Sequence, residues 1–481
     1  MAIVFPTTSS IGAGDRITTT TTPAISSGDL LMIDDGISIV STVGYGVRTN
    51  GATNNLSQLS IVNYGLIAGS SGAVAILDAP STYTYDIYNG ETGRATGRAF
   101  YTFYIGSDLL SDFSAAKTKF VNAGEITSMG PYGTVFLFKA GLVTFENSGL
   151  ITSSSTTAFY TSVYFYNVDV VRASNTGTIV GASTLFTGAN HEQIAAIAFG
   201  SDTDDVVFRN SGTITAPLYS IGSTALTSEV IVNSGTLNGS VVLSDTIGGV
   251  LQNSGAIFGD ILLRGGADIY RGLGNGIVSG TVSGGSGNDT LIGGEVADLL
   301  DGGNDDDTVL GRGGDDELTG GAGNDFMLGG GGNDSMLGGT ENDTMNGQDG
   351  DDTMLGDDGN DGMTGGAGAD VMFGGIGNDT LNGQDGEDNL EGEGGNDILR
   401  GGNGDDALAG GEGFDLLTGG AGADSFVFRA LSETVVGANR DQILDFEQGV
   451  DIIVVAGLSP GVFEFRGTAA FAPSGNSELR L

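Results

Sequence analysis

The sequence predicts an all-β chain built as two parallel solenoids in series: a right-handed parallel β-helix, then a narrower parallel β-roll. Three observations carry this reading. Sixteen consecutive nine-residue units run without a gap from Gly284 to Val427, with Gly first and Asp sixth in every copy, and so strict a period marks a repeat architecture. A looser signature, apolar-x-Asn-x-Gly-x-apolar, recurs between residues 60 and 260. The chain holds 87 Gly and 7 Pro in 481 residues, and no stretch sustains the 3.6-residue apolar period of a packed helix.

The first element, 1–264, is read as a β-helix-like N-terminal domain. Its signature appears around Asn63 and Gly65, then Asn122 and Gly124, Asn147 and Gly149, Asn175 and Gly177, Asn210 and Gly212, Asn233 and Gly235, and Asn253 and Gly255. After a first interval of 59 residues the Asn-to-Asn spacings are 25, 28, 35, 23 and 20. Irregular periods of this size fit coils with loops of variable length. Asn is expected in a turn that visits the left-handed region, with Gly at the bend beside it, and the flanking Ile, Leu, Val and Phe alternate as strand residues do. Stacked copies predict an asparagine ladder, each amide bonding the next. The long first interval should hide further coils, one marked by Asn89-Gly90.

Two aromatic clusters interrupt this half: Tyr83, Tyr85, Tyr88, Phe100, Tyr101, Phe103 and Tyr104, then Phe159, Tyr160, Tyr164, Phe165 and Tyr166. Strand cores and edges account for them, and aromatic faces along a β-helix groove could also stack on sugars. The Thr18–Thr22 run before Pro23 reads as an exposed β or linker segment. The second element, 265–283, keeps the apolar alternation while the Asp phase of the nonapeptides is lost, as in Asp268-Ile-Tyr-Arg and Gly276-Ile-Val-Ser. It reads as transitional coils.

The third element, 284–427, is the nonapeptide block. Its sixth-position aspartates are Asp289, Asp298, Asp307, Asp316, Asp325, Asp334, Asp343, Asp352, Asp361, Asp370, Asp379, Asp388, Asp397, Asp406, Asp415 and Asp424. Two residues after each stands an apolar side chain, from Leu291 to Phe426, including six consecutive Met from Met327 to Met372 that read as adaptable core filler. Gly at positions one, two and four is expected to let the backbone take positive φ and expose its carbonyls in a tight turn. The last three residues are left to form a strand on which positions six and eight share a face. Each nonapeptide turns the chain halfway, so two complete one coil of eighteen residues, and aspartates two repeats apart face each other about 4.7 Å along the axis.

Unscreened carboxylates repel at that spacing, which invites a hard cation. Calcium takes six to eight oxygens, mixes carboxylates with carbonyls and tolerates irregular geometry, whereas magnesium needs a smaller, regular cage. The charge agrees: 26 Asp and 7 Glu against Arg312 and Arg400 give the block −31 of the chain's −43. Roughly fourteen inter-turn sites at most would bring about +28 and nearly neutralise it. Without metal, a segment this acidic and Gly-rich should be an expanded coil, so metal binding and folding become one equilibrium. The sixteen aspartates are the candidate ligands. The fourth element, 428–481, is read as a C-terminal capping and secretion-signal region.

These residues resemble the RTX, or haemolysin-type calcium-binding, repeat proteins secreted by bacterial type I systems. The resemblance continues past Asp424, where Ser425-Phe-Val-Phe428, Asp441-Gln-Ile-Leu-Asp445-Phe446 and Gly449-Val-Asp451-Ile-Ile resemble the C-terminal module of serralysin-like members. The N-terminal half resembles a parallel β-helix of adhesin type. The resemblance implies a calcium-loaded β-roll that folds after export, an uncleaved C-terminal secretion signal, passage through a type I secretion apparatus, and an extracellular or cell-surface destination. It also implies the sixteen aspartates as ligands, with turn carbonyls completing each shell.

Composition narrows the function further. The chain has no Cys, no Trp and one His, which excludes a disulfide scaffold and thiol chemistry. No run approaches the roughly 20 apolar residues of a membrane span, and the start, Met-Ala-Ile-Val-Phe-Pro, lacks the features of a cleaved leader. A pI near 4.1 argues against nucleic acid and anionic membranes. Serralysin-type proteolysis needs an HExxH zinc site, but His191-Glu192-Gln193-Ile194-Ala195 has Ala where the second His belongs. No Gly-x-Ser-x-Gly elbow accompanies His191.

The expected role is therefore not enzymatic: an exported calcium-binding solenoid with a structural or adhesive function, meeting a cell-surface polysaccharide or matrix. The alternative is a calcium-dependent uronan epimerase or lyase on the β-helix, which would need a base, an acid and a charge neutraliser in one groove. Arg94, Arg98, Arg172, Arg209, Lys117, Lys119 and Lys139 offer the cations but form no recognisable cluster in the sequence.

Overall fold

Alternating apolar and polar residues can bury one face of a strand only by closing over an interior, and here they do so by stacking strands in parallel. The computed structural model describes residues 16–19, 24–25, 30–33, 38–41, 45–49, 58–64, 66–69, 72–76, 84–97, 102–105, 116–129, 134–153, 162–181, 195–200, 202–246, 248–429 and 441–455. His191, Arg98, Tyr83, Phe100, Tyr101, Phe159, Tyr160 and most of 428–481 lie outside them, as does the greater part of the Thr18–Thr22 run. The described strands pair in parallel, each with the strand of the next coil. Two compact units result, one of residues 1–268 with 276–280, the other of 269–275 with 281–481.

In the first unit the asparagine ladder is complete through eight rungs. The Nδ2 amide of Asn63 donates to Oδ1 of Asn89, and the same bond links Asn89 to Asn122, Asn122 to Asn147, and Asn147 to Asn175, each at 2.7 Å. Asn175, Asn210, Asn233 and Asn253 continue it at 2.8 Å. Asn89 therefore marks the hidden coil that its Asn-Gly pair announced. Every ladder residue is buried, and a buried amide that gives and receives in line satisfies its polar atoms without charge.

Two apolar columns flank the ladder. Two residues before each Asn run Ile61, Ile87, Phe120, Phe145, Ala173, Phe208, Ile231 and Leu251, register partners in sequence. On the other side run Ile67, Ala95, Ile126, Ile151, Ile179, Ile214, Leu237, Ile257 and Val278. The apolar residues at either end of the seven-residue signature are thus the two walls of the interior. Stacked phenylalanines thicken it, with Phe120 and Phe145 at 5.7 Å and 8° between planes.

One expectation is corrected here. None of the ladder asparagines has positive φ, so their place comes from the side-chain ladder rather than from a left-handed turn. The neighbouring glycines answer to space: a Cβ at Gly149, Gly177, Gly212 or Gly235 would strike the carbonyl oxygen of the corresponding glycine one coil back.

The aromatic clusters divide as strand residues do. Phe103 and Phe165 are core, while Tyr104, Phe136, Phe138, Tyr164 and Tyr166 form a second set of ring contacts, with Tyr104 and Phe136 stacked at 5.3 Å.

In the second unit the pitch is fixed. Ser335–Thr340 pairs with Thr353–Asp358, and Thr353–Asp358 with Val371–Ile376, each step eighteen residues. Two nonapeptides therefore make one coil, as their half-turn geometry predicts. Position eight forms the interior of this thin roll, with Leu291 to Phe426 all 0–1% exposed. After the last repeat the register widens: Leu417 pairs with Ile443 and Phe426 with Ile453, offsets of 26 and 27 residues at the neighbouring aspartates.

Candidate metal centre

The turn that builds the site uses left-handed residues at positions two and four, both of them in fourteen of the sixteen repeats. Position two has positive φ in every repeat except the second, and where Gly is missing there, Arg312, Gln348, Asp357, Gln384 and Glu393 adopt it instead. In the second repeat Val296 stands at position four, where other repeats also go left-handed, and neither it nor Gly294 does so. A β-branched residue resists that region. The consequence falls on Asp298, whose Oδ2 accepts the Gly294 N–H at 2.6 Å within its own turn.

Position one was expected to need Gly for its φ, and this too is corrected. No position-one glycine has positive φ. What forbids a side chain is oxygen. At Gly302 a Cβ would lie 2.5 Å from Asp307 Oδ2 and 2.7 Å from the Gly320 carbonyl. At Gly320 the same atoms are Asp325 Oδ2 at 2.5 Å and Gly338 O at 2.8 Å, and at Gly374 they are Asp379 Oδ2 at 2.6 Å and Gly392 O at 2.8 Å. A carboxylate oxygen and the carbonyl of the position-one glycine two repeats on thus border one small gap.

The aspartates themselves are buried, at 0–5% exposure. Their two oxygens have different duties. Oδ1 accepts the main-chain N–H of the aspartate one coil earlier, from Asp289 N–H to Asp307 at 2.7 Å through Asp352 N–H to Asp370 at 2.9 Å. Oδ2 is left over. In twelve consecutive repeats, Asp307, Asp316, Asp325, Asp334, Asp343, Asp352, Asp361, Asp370, Asp379, Asp388, Asp397 and Asp406, it is buried with no hydrogen-bond partner.

Buried acceptors are nearly always satisfied, and a charged one without a partner costs most. So long a row of exceptions needs an ion. The set also defines which ion: oxygen only, carboxylate mixed with carbonyl, on a flexible backbone turn, which suits calcium. Among the described residues no group of three acidic, histidine or cysteine side chains is placed to hold one ion. The sequence led to carboxylates facing each other across the ion. In the repeats of Gly302, Gly320 and Gly374 the aspartate Oδ2 lies beside a glycine carbonyl, while Oδ1 accepts the neighbouring aspartate's amide.

Metal-free, these groups sit above the usual carboxylate range. Burial first, then the charge of aspartates one coil away, pushes Asp307, Asp316, Asp343 and Asp370 up to about 7 and Asp397 up to about 8, while the amide hydrogen bond works the other way. Asp334, Asp379 and Asp406 rise to about 6. A pKa raised by folding stabilises the fold where the proton is bound, in full below the unfolded value of about 4, and that contribution disappears as pH rises through the folded values. In EGTA, β circular dichroism is therefore expected to be strongest near pH 4 and to decline as pH climbs through about 6 to 8. Saturating calcium should reverse the trend, since protons then compete with the ion. A metal-free signal indifferent to pH would refute this.

Sequence reasoning missed three aspartates as part of the same stack. Asp441 Oδ1 accepts the Asp415 N–H at 3.1 Å and Asp451 Oδ1 the Asp424 N–H at 3.2 Å. Asp445 spends both oxygens on the Gly419 and Gly420 amides, and Asp451 Oδ2 takes the Glu447 N–H at 2.6 Å. These carboxylates close the column by serving amides. The available signal was Asp441-Gln-Ile and Asp451-Ile-Ile, which repeat the sixth-to-eighth-position pattern without the glycines.

Of the basic residues weighed for uronan chemistry, Arg94 faces Glu125 at 3.4 Å, Lys119 faces Glu146 at 3.7 Å, and Arg172 pairs with Asp205. Each is thus engaged by a carboxylate of an adjacent coil.

A family model described as the RTX calcium-binding nonapeptide repeat (4 copies) matches residues 283–318, 301–336, 328–363, 364–399 and 400–429. No curated protein matches the chain. The block is an array of RTX calcium-binding repeats, and calcium is the ion its buried carboxylates fit.

Proposed function

We propose that this is an exported protein which stays unfolded in its second unit until it meets extracellular calcium, and then serves as a structural or adhesive solenoid at the cell surface or in the matrix. The observation that carries the reading is the row of twelve buried, unpartnered Oδ2 atoms. A chain so built has no stable roll where calcium is scarce, which keeps it expanded for passage through a type I apparatus, and it acquires one where calcium is plentiful. The resident ion would supply positive charge between Asp Oδ2 and glycine carbonyl. The chain's own residues supply the rest: Oδ1 fixes each carboxylate, position one excludes side chains, and position eight seals the interior.

The first unit, held by a neutral ladder and apolar walls, would present the surface that meets a polysaccharide or matrix. Among the described residues no helix is long and apolar enough to cross a membrane. Calcium-loaded protein is expected to remain with intact producing cells on washing and to be released by EGTA. Recovery inside washed cells, untouched by EGTA, would overturn the proposal. Formation of unsaturated ends or epimerised residues from alginate or pectate by the purified protein would replace the structural role with the enzymatic one.

A further inference from the structure

We infer that the methionine zone of the roll is an oxidation site gated by calcium: thioethers that calcium-driven folding hides, and whose oxidation in the unfolded chain blocks that folding. The inference takes calcium-coupled folding as its premise and adds a modification chemistry to it.

Six of the chain's nine methionines occupy position eight of six consecutive repeats. The eighteen-residue pitch sorts them into two interior columns. Met327 lies in register with Met345, and Met345 with Met363; Met336 lies in register with Met354, and Met354 with Met372. All six are 0–1% exposed. Three successive coils therefore have an interior composed of thioether side chains, bounded in register by Val309 and Leu318 before and by Leu381 and Leu390 after.

Methionine tolerates an irregular narrow core better than a branched side chain does. It is also the one apolar side chain that a mild oxidant makes polar. A peroxide delivers one oxygen atom to the sulfur lone pair, so that thioether and hydrogen peroxide become sulfoxide and water, with sulfur oxidised by two electrons. The product carries a strong acceptor. In the folded roll it would point into an interior whose neighbouring strand amides already serve the parallel ladder, and a buried acceptor without a donor opposes folding. Six such groups in adjacent repeats would interrupt the roll at its middle and deprive repeats five to ten of the alignment of Oδ2 with carbonyl that the ion requires.

Access follows calcium. Folded, the sulfurs are sealed; unfolded, they are open to solvent. Met129, 57% exposed in the first unit, is an internal standard whose access should not follow the ion. Repair is chemically defined, since a methionine sulfoxide reductase with a dithiol returns the thioether while the dithiol becomes a disulfide and water is released.

The test treats the full chain with hydrogen peroxide in calcium and in EGTA, maps sulfoxide by peptide mass spectrometry, then removes peroxide and titrates calcium against β circular dichroism. Met129 is expected to oxidise in both conditions, and the six core methionines only in EGTA, at least tenfold faster than in calcium. The EGTA-oxidised chain should need at least tenfold more calcium to fold, and reductase treatment should restore the original midpoint. Replacing all six by Leu should make the midpoint indifferent to peroxide. If that variant does not fold, M345L/M354L should retain part of the response. Oxidation of the six at the Met129 rate in calcium, with circular dichroism showing the roll folded, would overturn the inference and leave calcium-coupled folding intact, as would an oxidised chain that folds at the unaltered midpoint. A chain equally β-rich in EGTA and in calcium before any peroxide would instead defeat the premise.

Discussion

Removal of calcium from the full chain is expected to strip hydrogen-exchange protection from 284–427 while the coils between Gln58 and Phe258 remain protected. The reason is how differently the two units satisfy their interiors. In the first, each coil adds a neutral asparagine to the ladder and apolar residues on both sides of it, and Phe120, Phe145, Phe165 and Phe199 are wholly buried. Among the described residues its only buried carboxylates are Glu229 and Asp268. In the second, each nonapeptide buries one apolar side chain and one carboxylate, and the block carries −31.

A single buried side chain per nine residues is a thin return against the conformational entropy of a Gly-rich segment. The carboxylates add desolvation and mutual repulsion to that deficit. Calcium reverses both electrostatic terms, so its loss should unfold the roll rather than loosen it. Exchange measured by mass spectrometry above about pH 8, past the raised carboxyl pKa values, should show peptides of 284–427 at unfolded-chain rates in EGTA, with recovery at about 0.1 to 1 mM calcium, the range typical of extracellular calcium modules. Magnesium at the same concentration should restore little, because it dehydrates reluctantly and demands a regular octahedron. Protection of 284–427 that is the same in EGTA and in calcium would end this account of the roll.

Much of the architecture was legible because it is written as period. Nine residues with Asp sixth and an apolar side chain eighth specify a half-coil, and the eighteen-residue register follows. The Asn-x-Gly signature specified the ladder, and the Asn89-Gly90 pair its hidden rung. What escaped were the reasons behind single positions. Gly looks the same whether it is needed for positive φ, as at position two, or for empty space, as at position one and after the ladder asparagines. Only the atoms of the next coil tell these apart, and they are remote in sequence. The two oxygens of each aspartate are also equivalent in a sequence, and their division of labour comes from stacking. Asp441, Asp445 and Asp451 were visible as a motif but not as the end of the column, because the offsets of 26 and 27 residues break the period that identified the others.

That division of labour makes Asp352 the informative residue to change. Its Oδ1 accepts the Asp334 N–H at 2.8 Å, its own N–H donates to Asp370 Oδ1 at 2.9 Å, and its Oδ2 has no partner. Asp352→Asn preserves an oxygen for the Asp334 amide and the donation to Asp370, while deleting the charge. Asp352→Ala deletes the acceptor as well and leaves the Asp334 N–H buried and unpaired, at a cost of about 1–3 kcal/mol whether or not calcium is present.

The two variants should therefore separate under chelation. In EGTA at about pH 6, where raised pKa values keep part of the metal-free roll folded, Asn is expected to match or exceed the wild type, since it removes a buried charge that lacks an ion. In calcium the same change should raise the calcium midpoint about tenfold, because affinity at such sites follows the number of charged ligands. Ala should be the less stable in both conditions. A change of sign between EGTA and calcium identifies Oδ2 as a ligand, which no purely structural role would produce. Equal destabilisation by Asn in the two conditions would reduce Asp352 to a rung of the amide ladder, and with it the eleven other aspartates that share its geometry.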